Sequence, residues 1–188
     1  MRSTYKSITI ICEGKSELVY IQAISSIFIK IGYIFQPKLA NGSNNLVRIY
    51  NKIRKDNRNS RIEILCDEDV FFRGVKKCKT LERALTNYLN FEDFCVLHLQ
   101  KDLVLEWQEI CEEHRHFDSP MTAELYEKSI QSIFPGYKKG ILPFENEIDV
   151  DMLQQLFENN DDISIKIKSK FASFLKELMR EANIHTTR

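Results

Sequence analysis

Glu13 and Glu17 bracket Gly14-Lys15-Ser16 directly after one apolar run, and Asp67 and Asp69 flank Glu68 directly after another. Carboxylates gathered in one cleft repel each other unless a cation neutralises them. A hard divalent ion suits such oxygen ligands. Mg2+ (or Mn2+) takes one or two carboxylates and completes its shell with waters and substrate phosphates. An ion held in this way acidifies a water, clamps a phosphate and shields the charge on a leaving oxygen. The residue types therefore point to metal-assisted phosphoryl transfer. An Asp-x-Asp that stands alone after a strand more often just caps a following helix; its pairing with a Glu-Gly after an earlier strand favours the metal site.

The elements that must position these acids are legible from periodicity. Ser7 to Cys12 is a β-branched apolar run that ends at Glu13-Gly14 and reads as a buried strand. A helix follows with Ser16 as its expected N-cap and Val19, Tyr20, Ala23, Ile24, Ile27 and Phe28 on one face, stopping at Gly32. Tyr33 to Leu39 reads as an edge strand, because Pro37 has no N–H for a ladder. After the turn at Asn41-Gly42-Ser43-Asn44, a second helix turns Leu46, Ile49, Tyr50 and Ile53 inward. Arg61 to Cys66 is a third strand, delivering Asp67-Glu68-Asp69. A short helix over 78–86 and a strand at Asn87-Tyr88-Leu89 follow. Later segments predict helices over 91–99, 102–115, 120–133 (with Ser119 as N-cap and Pro120 at the first helical position), 149–159 and 162–182. Alternating strands and helices specify an α/β fold with a mainly parallel sheet of about four strands flanked by helices. The expectation is one domain over 1–188, with its core over 7–140 and a helical C-terminal extension over 145–188. In such sheets ligands gather at the carboxyl ends of the strands, where Glu13, Asp67 and Asp69 fall.

The chain has 188 residues, 43% hydrophobic and 29% charged, with six Gly and four Pro, a profile that excludes disorder as its main state. No apolar run reaches the roughly 18–20 residues of a membrane helix. Met1 to Lys6 lacks the features of a secretory signal. Cys12, Cys66, Cys78, Cys95 and Cys111 are odd in number and contain no Cys-x-x-Cys, so a cytoplasmic protein without a zinc site or disulfide framework is expected. Net charge is zero, but residues 1–66 hold 11 Lys and Arg against 4 Asp and Glu, and residues 67–188 hold 16 against 23. The basic excess centres on Arg48, Lys52, Arg54 and Lys55, with Arg58 and Arg61 nearby. It reads either as a solvated helix face or as a surface for nucleic acid phosphates.

Ile10-Ile11-Cys12-Glu13-Gly14-Lys15-Ser16-Glu17 with Tyr20 resembles the first motif of a TOPRIM domain, and Cys66-Asp67-Glu68-Asp69 resembles its Asp-x-Asp motif. Within that superfamily the chain is most similar to the RloB-like group. That group's Glu-Gly-x-x-Thr-Glu appears here with Ser16 in place of Thr. Its Asn-Pro-x-Phe-Glu-x-Trp-x-x-x-His-Phe motif corresponds to Asn90 through Leu99: Phe91, Glu92 and His98 match, Phe94 replaces Trp, and the Asn-Pro pair is broken. A later Tyr-x-Lys matches Tyr137-Lys138-Lys139. The four motifs run in order from residue 7 to about 140, and the last fifty or so residues match nothing in the group.

The resemblance implies a Mg2+-dependent TOPRIM nuclease acting on DNA or RNA, tRNA included, in an antiviral restriction or abortive-infection system with an ATPase partner. It implies Glu13, Asp67 and Asp69 as metal ligands, with Glu13 alternatively the general base. Glu17 and Glu92 would complete the acidic cluster or orient water, and Lys139, or its neighbour Lys138, would stabilise the charge that develops on phosphorus. Lys15, Arg48, Lys52, Arg54, Lys55 and Lys138 are the candidate contacts to nucleic acid. Primase-like nucleotidyl transfer and a binding subunit without turnover are the alternative functions. Other residues read as structural. His98 stands six positions after Glu92, on a different helix face, and reads as a packing histidine. Trp107 fits the core with Leu103, Ile110 and Cys111; His114 and His116 diverge on their helix. Cys12 and Cys66 read as small hydrophobes. Glu92, set among Phe91 and Phe94, requires a partner.

Overall fold

A computed structural model describes residues 5–56, 61–67, 87–89, 91–116, 123–138 and 147–186. The alternating start of the chain becomes β1 (Lys6–Cys12), α1 (Lys15–Lys30), β2 (Tyr33–Leu39), α2 (Leu46–Asp56) and β3 (Arg61–Asp67). The three seven-residue strands pair in parallel in the order β2-β1-β3, and the short β4 (Asn87–Leu89) runs parallel beside the end of β3. Among the described residues five helices follow: α3 (Phe91–Val96), α4 (Lys101–His116), α5 (Ala123–Ile133), α6 (Val150–Asp161) and α7 (Lys170–Thr186). The protein is an open parallel α/β structure, compatible with a Rossmann-like fold.

Both faces of the sheet are buried, as parallel strands require. Ile8, Ile10, Cys12, Tyr33, Phe35 and Leu65 pack against α1 and the later helices, while Ile11, Ile62, Ile64 and Cys66 pack against Leu46 and Tyr50 of α2. The chain runs from β1 outward to β2, then crosses back past β1 to β3. Neighbouring β1 and β3 thus send their following connections in opposite directions, which opens a crevice at their carboxyl ends. Pro37 lies on β2 at the edge, where its missing N–H is harmless.

Some boundaries differ from the sequence expectation. Gly14, not Ser16, is the N-cap of α1. The helix expected over 91–99 ends at Val96. The one expected over 162–182 begins only at Lys170, because side chains capture the backbone before it. Asp162 Oδ1 accepts from the Ser164 N–H at 2.8 Å, Asn160 Oδ1 from the Ser169 N–H at 2.7 Å, and Gln108 Oε1 from the Lys166 N–H at 2.6 Å. Ser169 Oγ then caps α7 through the Ala172 N–H at 3.2 Å. Ile163, placed by periodicity on the apolar helix face, is fully exposed instead. The expected helix over 78–86 and the Ser119-Pro120 cap lie outside the described residues.

The C-terminal helices are built into the core. Phe171, Leu175 and Leu178 of α7 and Leu153 and Leu156 of α6 belong to the same buried cluster as Ile8, Tyr20 and Trp107. Asn159 ties α6 to the chain after α3 by donating to the carbonyls of Leu97 at 2.9 Å and Leu99 at 2.8 Å.

Candidate active site

The first acid stands where β1 gives way to α1. Its backbone is held from both sides: the Glu13 N–H donates to the Leu65 carbonyl of β3 at 3.0 Å, and the Glu13 carbonyl accepts from the Gly42 N–H at 3.0 Å. Glu13 therefore sits at the β1/β3 crevice with its side chain partly exposed. One helical turn later, Glu17 folds back on the start of α1. Its Oε2 accepts from the Gly14 N–H at 3.2 Å, which satisfies one of the helix's unpaired amino-terminal donors. A Cβ at residue 14 would lie 3.0 Å from that same oxygen, so the glycine makes room for the carboxylate.

Glu17 is only 5% exposed, and burial is the chief cause of its raised pKa. Its own backbone amide and that of Gly14 oppose the rise, whereas the charges of Glu13 and Glu92 add to it. Two of the other acids singled out in the sequence, Glu13 and Glu92, thus act on Glu17. Glu92 arrives on the first turn of α3 and accepts a hydrogen bond from the Tyr137 hydroxyl at 2.8 Å. Tyr137 is the partner that the apolar setting of Glu92 required, and it comes from just beyond α5. The cluster also marks its surroundings. The buried thiol of Cys95 is pushed up by burial and then by Glu92, Glu17 and Asp93, and that of Cys12 by burial and then by Glu17. Both cysteines are inert packing groups.

An aromatic wall backs the acids. Tyr20, from the first motif, packs edge-on against Phe94 with ring centroids 4.8 Å apart. The His98 Nδ1–H donates to the Phe94 carbonyl at 3.1 Å, leaving Nε2 to accept from the Tyr20 hydroxyl at 3.0 Å. Burial lowers the His98 pKa to about 4, so the ring is neutral and structural. Asp93, beside Glu92 in sequence, accepts instead from the indole N–H of buried Trp107 at 2.7 Å. Adjacent acids on one short helix thereby part: Glu92 joins the acidic cluster and Asp93 anchors α4.

The remaining candidates are more dispersed. Asp67 ends β3, its backbone in register with Leu89 of β4. Its side chain, the whole of Asp69 and Lys139 lie outside the described residues. Lys138 is exposed after α5, and Lys15 is exposed at the first position of α1. Arg48, Lys52 and Lys55 are exposed on α2, across the sheet from α1. Arg54 is a packing residue in part: its Nε donates to the Tyr50 hydroxyl at 3.2 Å and its guanidinium lies 5.6 Å from that ring's centroid. Among the described residues, no group of three His, Cys, Asp or Glu side chains forms a site able to hold a metal ion. The acids at the crevice supply oxygen donors only, which is the chemistry suited to Mg2+ or Mn2+. Sequence reasoning missed the bond from Gly14 to Glu17 and the one from Tyr137 to Glu92. The Glu at the third helical position was a local signal for the first. The second had only the unexplained charge among phenylalanines.

Compared with protein-family models, with curated proteins and with solved structures, the chain finds no match in any of the three.

Proposed function

We propose that this protein is a TOPRIM-type, Mg2+-dependent phosphodiesterase that cuts DNA or RNA. The observation that carries this reading is geometric: Glu13 follows β1 at the β1/β3 crevice with its N–H on the Leu65 carbonyl, buried Glu17 folds back on Gly14 one turn later, and β3 ends alongside in Asp67. A buried carboxylate next to a second acid at the switch point of a parallel sheet is unfavourable for folding and useful for chemistry. Glu13, Asp67 and Asp69 would hold the divalent ion. Bound there, it would supply an acidified water and neutralise charge on the phosphate.

The chain's own groups divide the remaining work. Glu17, of raised proton affinity and locked by Gly14, is suited to transfer a proton between the attacking water and its surroundings. Tyr137 fixes Glu92 so that its free oxygen can orient water. Lys139, or Lys138, stabilises the charge developing on phosphorus. The motif order resembling RloB-like proteins supports a cytoplasmic antiviral role beside an ATPase partner.

The test is incubation of the purified chain with labelled DNA, RNA and tRNA in Mg2+ or Mn2+. Cleavage is expected, and Asp67→Asn/Asp69→Asn should lower its rate by at least about a thousandfold, as expected when transition-state charge stabilisation is removed. Full activity in the double variant would sink the assignment. Incorporation of labelled nucleotide without cutting would move the chain to nucleotidyl transfer.

A further inference from the structure

The structure redraws the basic cluster that charge counting locates. Arg54 is engaged with Tyr50, and Arg61 is paired with Glu63, its guanidinium lying over the ring of Phe174. Arg48, Lys52 and Lys55 remain. They are exposed and spaced four and three residues apart, which lines them up on one stripe of α2 over about 10 Å at 1.5 Å rise per residue. Lys38 joins them from the edge strand. It is exposed and stands beside Ile11 in the β1–β2 register. Alternation along β2 puts it on the α2 side of the sheet, opposite buried Tyr33 and Phe35.

None of these four cations forms an ion pair among the described residues. Three lysines of the helical half differ: Lys101 pairs with Asp162, Lys166 with Glu112 and Lys176 with Asp161. Among the described residues, those three lysines meet carboxylates, whereas the four on the α2 side do not. The stripe also has a direction. α2 follows the turn whose Gly42 N–H bonds to the Glu13 carbonyl, so Arg48, in its first turn, is the end of the stripe nearest the acids. The aromatic side chain of α2, Tyr50, is buried, which leaves this helix no ring for stacking on bases.

We propose that Lys38, Arg48, Lys52 and Lys55 form a track for the sugar–phosphate backbone of a polynucleotide, leading without base readout toward the acid-bearing edge of the sheet. The proposal names the partner of the site described above and rests on that reading only for where the strand is cut.

Its test is fluorescence anisotropy in EDTA, so that binding is read without cleavage, using 20-nucleotide single strands of DNA and RNA and a 20-base-pair DNA duplex of two unrelated sequences. Each phosphate contact contributes a slope of about −0.9 for duplex, or about −0.7 for a single strand, to log K against log salt. Arg48→Ala/Lys52→Ala/Lys55→Ala should make the slope shallower by about 2 to 3, equally for both sequences. Lys38→Ala should make it shallower by slightly less than 1. Lys101→Ala/Lys166→Ala/Lys176→Ala, which removes paired lysines, should leave it unchanged. Lys52→Glu alone, a single surface change, checks the triple variant should that variant fold poorly, and should weaken all probes together. An unchanged slope in the α2 variants, or equal displacement of the probe by poly-glutamate at matched charge, overturns the track. Binding with the expected slopes but no cutting in Mg2+ would overturn only the enzymatic reading. The RNA, single-stranded DNA and duplex probes identify which polynucleotide is held best.

Discussion

The amino and carboxyl ends of the strands treat their acids in opposite ways. At the amino edge, each of the three long strands begins with a residue that answers a carboxylate: Lys6 of β1 lies 3.6 Å from Glu181, Tyr33 of β2 donates to Glu181 at 2.7 Å, and Arg61 of β3 donates to Glu63 at 2.9 Å. The Glu181 carboxyl is accordingly held below its ordinary range, first by the Tyr33 hydroxyl, which outweighs burial, and then by Lys6 and Arg61. At the carboxyl edge, Glu17 is buried beside Glu13 and Glu92, and its pKa moves up. One edge fastens α7 to the sheet; the other keeps like charges together. The contrast separates the end of the fold where an acid is held by cations and a hydroxyl from the end where a buried acid lies beside a like charge, which is where a cation has something to gain.

Removing charge should therefore act with opposite sign at the two edges. The largest effect is expected from Glu13→Gln. Cleavage should fall by about a hundredfold or more, equivalent to about 3 kcal/mol of barrier, while thermal stability holds or rises because repulsion on Glu17 is relieved. A melting temperature that drops together with activity would erase the distinction between the edges.

The wall behind the acids gives the next effect, through pH. His98 has a folded pKa of about 4 against about 6.5 unfolded, so the unfolded chain takes up the proton first as pH falls. Stability from the neutral ring is complete above pH 6.5 and is lost down to about pH 4, by roughly 3 kcal/mol. Glu17 runs the other way. Its raised folded pKa makes its contribution complete below the unfolded value of about 4.5 and diminished as pH rises through the folded value. Urea unfolding at a series of pH values should show the acid-side loss in the parent chain and a much flatter slope from pH 6.5 to 4 in His98→Gln, whatever that variant's stability at neutral pH.

The smallest effect belongs to the amino edge. Glu181→Ala should destabilise by about 1 kcal/mol, chiefly through the lost Tyr33 hydrogen bond, since the Lys6 pair is solvent-screened. Activity should be unaffected. A gain in stability on removing this acid would show that the amino edge is as strained as the carboxyl edge.

Much of this division was legible beforehand, for local reasons. β-branched alternation located β1 and β3, and the acids that follow them, because strand formation and chain reversal are written in adjacent residues. Glu92 stood out as a charge among phenylalanines before Tyr137 was known to meet it. Ile163 misled because a helix-period pattern cannot report that Asp162, Asn160 and Gln108 take the backbone hydrogen bonds of the following segment. The basic cluster likewise looked uniform in sequence, although Arg54 and Arg61 are used internally and Lys38 belongs with the exposed set.

By itself, the sequence determined the strand and helix segments that flank the acids and the types of ligand atom they can offer, because these depend on side-chain chemistry and short-range periodicity. Tertiary structure alone decided that β1 neighbours β3, that Tyr137 reaches Glu92, that Glu17 is buried and that α7 closes the amino edge. Those outcomes turn on which distant segments share a hydrogen bond or exclude water together, and no spacing along the chain encodes that directly.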